Sequence, residues 1–245
     1  MKKNKIYKTL LAFVILLLIG LFTFIIYFQL TLHFDEEVSQ RLTEDVIVIN
    51  DIVVSMYLIK YDSGYIAIDT GYFDCFIKRG LEYNNISTDD IKYVLLTHSD
   101  ADHVNNVHLF NKAKIYFPLN EKKMLDNKKQ RFAFLSFYTN KIEMEKFTFT
   151  EDHDELILGN KKVQCISLPG HTEGSMGYFI DNKYLFTGDA FRLKNGKISW
   201  PFRKYFVTDQ EAMLKSIDKV SKLDSVKYIF TAHSGFTADF NFAVK

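Results

Sequence analysis

The chain has 245 residues, with 31 lysines and arginines against 30 aspartates and glutamates and a formal net charge of +1. Such a balance gives no support for a nucleic-acid backbone as partner, and two cysteines are too few for a disulfide framework. Beyond an apolar N-terminal stretch, roughly 200 residues of ordinary globular composition suit one domain with a sizeable core.

Lys2, Lys3, Lys5 and Lys8 precede a run without charge from Thr9 to Phe28. As a helix rising 1.5 Å per residue this run spans about 30 Å, one bilayer core, and predicts a transmembrane helix. A cleavable signal peptide has a shorter apolar stretch, about 7–15 residues, that ends in small residues. Here the run ends Ile25-Ile26-Tyr27-Phe28-Gln29-Leu30, and no cysteine stands near it for lipid attachment, the first being Cys75. The basic flank is expected in the cytoplasm and the flank with Asp35, Glu36 and Glu37 outside. The expectation is a single-pass cell-membrane protein whose globular part faces outward, or a secreted one if the segment is cut. Residues 1–30 would be a cytoplasmic tip and signal anchor, 31–44 a juxtamembrane linker, and 45–245 the globular domain.

Within that domain, hairpin turns are expected at Tyr61-Asp62-Ser63-Gly64-Tyr65, Leu158-Gly159-Asn160-Lys161 and Ile180-Asp181-Asn182-Lys183, each between β-branched and aromatic runs. Helices are expected over Tyr72 to Tyr83, Asp102 to Phe110, Asn120 to Leu125 and Thr208 to Leu223. Alternating strands and helices with hairpins exclude an all-β barrel and suit two sheets flanked by helices. Cys75 and Cys165 read as two buried free thiols in a helix and a strand. The stretch Pro118 to Asp152 mixes Phe132, Phe134, Phe137 and Tyr138 with lysines, and either covers a sheet edge or shapes a substrate site. Lys122, Lys123, Lys128, Lys129 and Arg131 form its basic patch, a solvated helix face or an attractor of anions.

Four apolar runs end in residues that bind metals: Val94-Leu95-Leu96-Thr97 before His98, Ile166-Ser167-Leu168-Pro169-Gly170 before His171, Leu185-Phe186-Thr187-Gly188 before Asp189, and Tyr228-Ile229-Phe230-Thr231-Ala232 before His233. Short apolar runs bounded by turn residues read as buried strands, which can deliver their end residues to one rim. The first opens the cluster His98-Ser99-Asp100-Ala101-Asp102-His103. Imidazole and carboxylate suit zinc, and also the harder manganese and ferrous ions. His33, His108 and His153 have no such partners at useful spacing and read as surface or packing residues.

In order and spacing these pieces, with Ile66-Ala67-Ile68-Asp69-Thr70-Gly71, Pro169-Gly170-His171-Thr172-Glu173-Gly174-Ser175 and Ala232-His233-Ser234-Gly235, resemble the metallo-β-lactamase superfamily from about Val46 to the C-terminus. The resemblance implies an α+β, four-layer αββα sandwich, its halves about Val46 to Phe149 and Asp154 to Lys245, after the one N-terminal transmembrane helix. It implies two divalent metal ions, zinc first and manganese or iron as alternatives. His98, Asp100 and His171 would hold one ion, Asp102, His103 and His233 the other, and Asp189 would bridge them. Asp69 would orient the cluster from behind.

Where the family pattern has His-x-His-x-Asp-His, this chain has Asp100 in place of the middle histidine. Three aspartates and a hydroxide would carry four negative charges against four positive ones, a weaker Lewis acid that leans toward harder metals. Alternatively Asp100 points away and the first site is weak or empty. The implied reaction is hydrolysis of a small-molecule ester, lactone, thioester, amide or phosphodiester by a metal-bound hydroxide, with Asp102 shuttling a proton to the leaving group. Arg192 and Lys194 are either substrate-binding cations or solvated loop charges. The alternatives in other classes are a mononuclear or di-iron oxygenase on the same fold, and a non-catalytic, membrane-tethered metal-binding protein.

Overall fold

The computed structural model describes residues 2–32, 39–52, 54–126, 144–199 and 207–244. The chain forms two compact units, Met1–Phe34 and Asp35–Lys245. In the first, helix α1 (Lys2–Leu32) covers the uncharged run. Among the described residues no helix is long and apolar enough to cross a membrane, so the expected transmembrane helix is not supported. Asp35, Glu36, Glu37 and His33 lie outside the described residues.

The second unit is built on two sheets. The first runs in chain order through β1 (Gln40–Arg41), β2 (Val46–Asn50), β3 (Ser55–Tyr61), β4 (Gly64–Ile68), β5 (Ile91–Leu95), β6 (Lys114–Pro118) and β7 (Thr148–Thr150). Pairing is antiparallel up to β4 and parallel from there on. Parallel neighbours require crossovers; α2 (Asp74–Tyr83) joins β4 to β5, and α3 (Ala101–Val104) lies between β5 and β6.

The second sheet holds β8 (Glu155–Leu158), β9 (Lys161–Ser167), β10 (Met176–Ile180), β11 (Tyr184–Phe186), β14 (Tyr228–Phe230) and β15 (Phe236–Thr237), and β12 (Arg192–Lys194) pairs with β13 (Lys197–Ser199) in a separate ribbon. Only β11 and β14 pair in parallel in this sheet, with α5 (Gln210–Ser221) in the connection and α6 (Phe240–Ala243) closing the fold. All three expected hairpins form, joining β3 to β4, β8 to β9 and β10 to β11. At the last, Asp181 and Asn182 both adopt positive φ, a conformation their short polar side chains tolerate.

Side-chain alternation turns the two sheets into four layers. Val46 and Val48 of β2 face a core shared with Tyr178, Tyr184, Phe186 and Phe230 of the other sheet. Ile47 and Ile49 of the same strand face the opposite way, onto Ile77 and Leu81 of α2. On the second sheet, Ile166, Leu185 and Ile229 turn outward onto Val220 of α5. A strand buried on both faces must be apolar at every position, which is why Val46-Ile47-Val48-Ile49 shows no alternation. The αββα sandwich is therefore as expected.

Two expectations need correction. The helix over Asp102 to Phe110 is broken: α3 ends at Val104, and a separate 3-10 turn covers Val107–Phe110. Asn106 is buried between them, and its side-chain amide donates to the Thr70 carbonyl at 3.0 Å. Of the two thiols only Cys165 is buried; Cys75, in the first turn of α2, is exposed. Phe132, Phe134, Phe137, Tyr138, Lys128, Lys129 and Arg131 lie outside the described residues.

Candidate metal centre

Strand ends build the site in register. His98 follows the end of β5 at Leu95, Asp189 the end of β11 at Phe186, and His233 the end of β14 at Phe230, each by the same three residues. Phe186 and Phe230 are direct partners across the parallel pair, so Asp189 and His233 emerge side by side. The Phe186 and Phe230 rings stack with centroids 4.6 Å apart, which holds the two strand ends together. Gly188, at φ +53, brings the Asp189 turn against Thr97: a Cβ there would lie 2.5 Å from Thr97 Oγ1.

The seven expected residues converge as three overlapping groups able to hold a metal ion: His98, Asp100 and His171; Asp102, His103 and His233; and His98, His103 and Asp189. Asp100 does not point away. Its Oδ2 lies 3.5 Å from His98 Nε2 and 3.2 Å from His171 Nε2. Asp102 Oδ2 lies 3.3 Å from His233 Nε2 and 3.7 Å from His103 Nε2. Asp189 divides its two oxygens, Oδ2 lying 3.2 Å from His171 Nε2, and Oδ1 3.2 Å from His233 Nε2 and 3.5 Å from His103 Nε2.

Hydrogen bonds behind the histidines set their tautomers. His103 donates from Nδ1 to Asp69 Oδ2 at 2.8 Å. Thr97 gives its hydroxyl hydrogen to the same carboxylate at 2.8 Å, so its oxygen is left to accept from His98 Nδ1 at 3.0 Å. Both rings therefore point Nε2 inward, the atom that a metal would bind once its proton is lost. Asp69 sits at φ +59 with its backbone N–H bonded to Leu95, a strained conformation maintained by the contacts its carboxylate makes.

Three atoms of this cluster carry the fit to a metal. His98 Nε2, His103 Nε2 and Asp189 Oδ1 are buried and make no hydrogen bond, an arrangement that is costly unless something completes it. A divalent cation bound by imidazole and carboxylate would do so.

Without a cation the protons compensate. Burial would push His103 down, but Asp69, Asp102 and Asp189 outweigh it and raise the ring to about 9. His233 is likewise raised well above its ordinary value, Asp189 and Asp102 overcoming burial. Against the same burial, His233, His171 and His103 hold Asp189 well below the usual carboxylate range, and His103 and His233 hold Asp102 low. Metal ions must displace the imidazole protons. His103 titrates higher folded than unfolded, so it stabilises the metal-free protein below pH 6.5, and that contribution is lost as pH rises through about 9. The thermal-unfolding gap between metal-loaded and chelated protein should accordingly widen from pH 6.5 to 9. A gap that is constant or narrows over this range would show that these protons and the metal do not compete.

Arg192 and Lys194 lie on β12, the first half-buried and the second exposed. The N–H of Leu193 between them donates to Ser234 Oγ at 2.8 Å, tying this ribbon to the His233 loop. His108 is exposed and bonds through Nδ1 to Asn105, and His153 is exposed beside Asp152, so neither joins the cluster. The residue that sequence reading missed is Glu121 of α4 (Leu119–Asp126), which is fully buried. Its neighbours Lys122 and Lys123 make the segment look like a solvated face, and no pattern in the sequence separates it from them.

A family model described as the metallo-beta-lactamase superfamily matches residues 49–233. The chain belongs to the metallo-beta-lactamase superfamily. A probable metallo-hydrolase of Methanocaldococcus jannaschii is 31% identical over 69% of this chain and 71% of its own length. A hydroxyacylglutathione hydrolase of Blochmanniella pennsylvanica is 30% identical over 63% of this chain and 52% of its length. A probable polyketide biosynthesis zinc-dependent hydrolase of Bacillus subtilis is 36% identical over 41% and 39%. The chain thus spans about half or less of the second and third relatives. Among solved structures, a metallo-beta-lactamase family protein from Thermus thermophilus gives a TM-score of 0.63 at 20% identity, covering 83% of this chain and 78% of that one. A beta-lactamase from Chitinophaga pinensis gives 0.64 at 18%, covering 82% and 80%. These two likenesses establish the fold. With the relatives and the donor set, the superfamily member described here is a metal-dependent hydrolase with a divalent-metal site.

Proposed function

We propose that the centre is binuclear and cleaves an activated acyl bond in a small molecule. His98, Asp100 and His171 would hold one ion, Asp102, His103 and His233 the second, and Asp189 would give one oxygen to each. The divided carboxylate of Asp189 is the observation that carries this reading, since Oδ2 turns to His171 and Oδ1 to His103 and His233. Divalent ions bound there would acidify water and polarise an electrophilic oxygen. Zinc is the default; the third aspartate, Asp100, favours manganese or iron more than a histidine would.

The chain's own groups supply the rest. His98, His103 and His171 are buried and the His233 ring is nearly so, whereas Asp100 and Asp102 are more open to solvent, so substrate would approach past these two carboxylates. Asp102 turns Oδ2 to the imidazoles, which leaves Oδ1 to take a proton from the nucleophile and pass it to the leaving group. An acyl substrate is supported by the hydroxyacylglutathione hydrolases among the relatives. Arg192 and Lys194, on the ribbon tied to the His233 loop, would be the cations that meet an acidic part of it.

The full chain should contain close to two divalent ions and hydrolyse members of an ester, lactone, thioester and phosphodiester panel. Folded protein with no metal after anaerobic purification would defeat the binuclear centre, and oxygen uptake without hydrolysis would favour a redox enzyme. For location, the uncharged run Thr9 to Phe28 behind four lysines supports an N-terminal anchor with the enzyme outside. Full-length chain recovered in the soluble cytoplasmic fraction would refute that placement.

A further inference from the structure

Glu121 is a carboxylate with no exposed surface, on the inner side of a short helix whose next residue, Lys122, pairs outward with Asp126. Burying a carboxylate is unfavourable unless hydrogen bonds replace its water. The bonds it makes run to two separate loops. Oε2 accepts from the Ser99 N–H at 2.8 Å, and Oε1 accepts from the Gly174 N–H at 3.1 Å and from the Thr172 hydroxyl. Ser175 supports the same corner, its Oγ accepting from the Thr172 N–H at 3.1 Å and lying 2.7 Å from Thr172 Oγ1. Among the described residues no basic side chain pairs with Glu121.

Those loops are the ones that carry one half of the centre. Ser99 stands between His98 and Asp100, and Thr172 follows His171. Holding the Ser99 N–H fixes the peptide that joins the first two, and holding Thr172 and Gly174 fixes the turn that presents the third. The approach is close as well as bonded: a Cβ on Gly174 would lie 2.3 Å from the Glu121 backbone nitrogen, so the loop touches the helix backbone itself. The other half has different support. His103 is held from Asp69 through its ring and from Thr70 through its carbonyl, and the His233 loop is held by Thr231, Ser234 and Gly235 among themselves.

We propose that Glu121 is a positioning residue for the first metal ion alone, a buried clasp between the His98–Asp100 loop and the His171 loop. This rests on the binuclear reading. Each carboxylate oxygen accepts from a backbone N–H, so an amide in its place would set its NH2 group against the N–H of Ser99 or of Gly174 and open one side of the clasp. His98, Asp100 and His171 would then no longer meet at one point, while Asp102, His103 and His233 would be undisturbed.

The test is a zinc titration against a chromophoric chelator, with thermal unfolding alongside, for the full chain and the variants Glu121→Gln, Thr172→Val and Thr172→Ser. Wild type should bind two zinc ions. Glu121→Gln should keep one with its affinity within a few-fold and weaken the other roughly 10- to 100-fold, as expected when a group that supports a ligand is lost. Thr172→Val should shift the same ion by less, and Thr172→Ser, which retains the hydroxyl, should match wild type. Two ions bound by Glu121→Gln as tightly as by wild type would overturn the proposal, and so would equal weakening of both, which marks a role in general stability. If Glu121→Gln does not fold, Thr172→Val decides by the same criteria. A wild type that binds fewer than two ions would remove the binuclear reading, and this inference with it, before any variant is compared.

Discussion

Asp189→Ala should cost metal from both halves of the centre and nearly all turnover, whereas Asp100→Ala should weaken one half and leave the other loaded. The asymmetry follows from contacts. Asp189 faces His171 with one oxygen and His103 and His233 with the other, while Asp100 faces only His98 and His171. Removing Asp189 also removes the negative charge that offsets three buried imidazoles, so the protonated rings of the metal-free protein would repel one another. Loss of a residue that merely supports a ligand commonly costs 10- to 100-fold in affinity or activity; Asp189→Ala should exceed the upper end for both ions. Metal content by mass spectrometry and turnover on the best substrate of the panel decide the matter. Equal content and equal turnover in the two variants would mean that Asp189 does not bridge.

Asp100→His should shift metal preference without abolishing binding. The substitution exchanges a hard anionic oxygen for a neutral nitrogen and makes the centre one charge more positive, which favours zinc over manganese or iron. A more positive centre is also a stronger Lewis acid, so the midpoint of the pH–rate profile should move to lower pH. Space is available for the ring, because Asp100 is partly exposed. Competitive loading with equal zinc and manganese, followed by pH–rate profiles of both proteins, measures the two effects. If neither differs, Asp100 does not bind metal, and the first ion must be held by His98, His171 and solvent.

The two sheets could be read from the chain because local patterning agrees with the fold. Val46 to Ile49 is apolar at every position since both faces of β2 are covered, and the turns at Tyr61, Gly159 and Asp181 carry residues that turns require. Where local and tertiary preferences competed, the sequence misled. Asp102 to Phe110 reads as one helix, but it forms two separate turns with Asn106 buried between them and bonded across to Thr70. Cys75 sits in an apolar pattern on α2 yet faces solvent.

By itself the sequence determined which residues could bind metal, since a histidine or aspartate after each apolar run is a matter of residue type and spacing, and parallel strands deliver the residues at their C-terminal ends to one rim. Only the tertiary structure decided how their side chains face one another, the geometry on which the proposed division between two ions rests. That division depends on which carboxylate oxygen faces which ring: Asp189 presents one oxygen to each half, and Asp100 turns inward toward His98 and His171. Only the structure reveals Glu121, too. Its partners at Ser99, Thr172 and Gly174 are 22, 51 and 53 residues away, two of them are backbone N–H groups carried by every residue except proline, and burial, the property that sets it apart from the neighbouring lysines, exists only once the loops have closed over it.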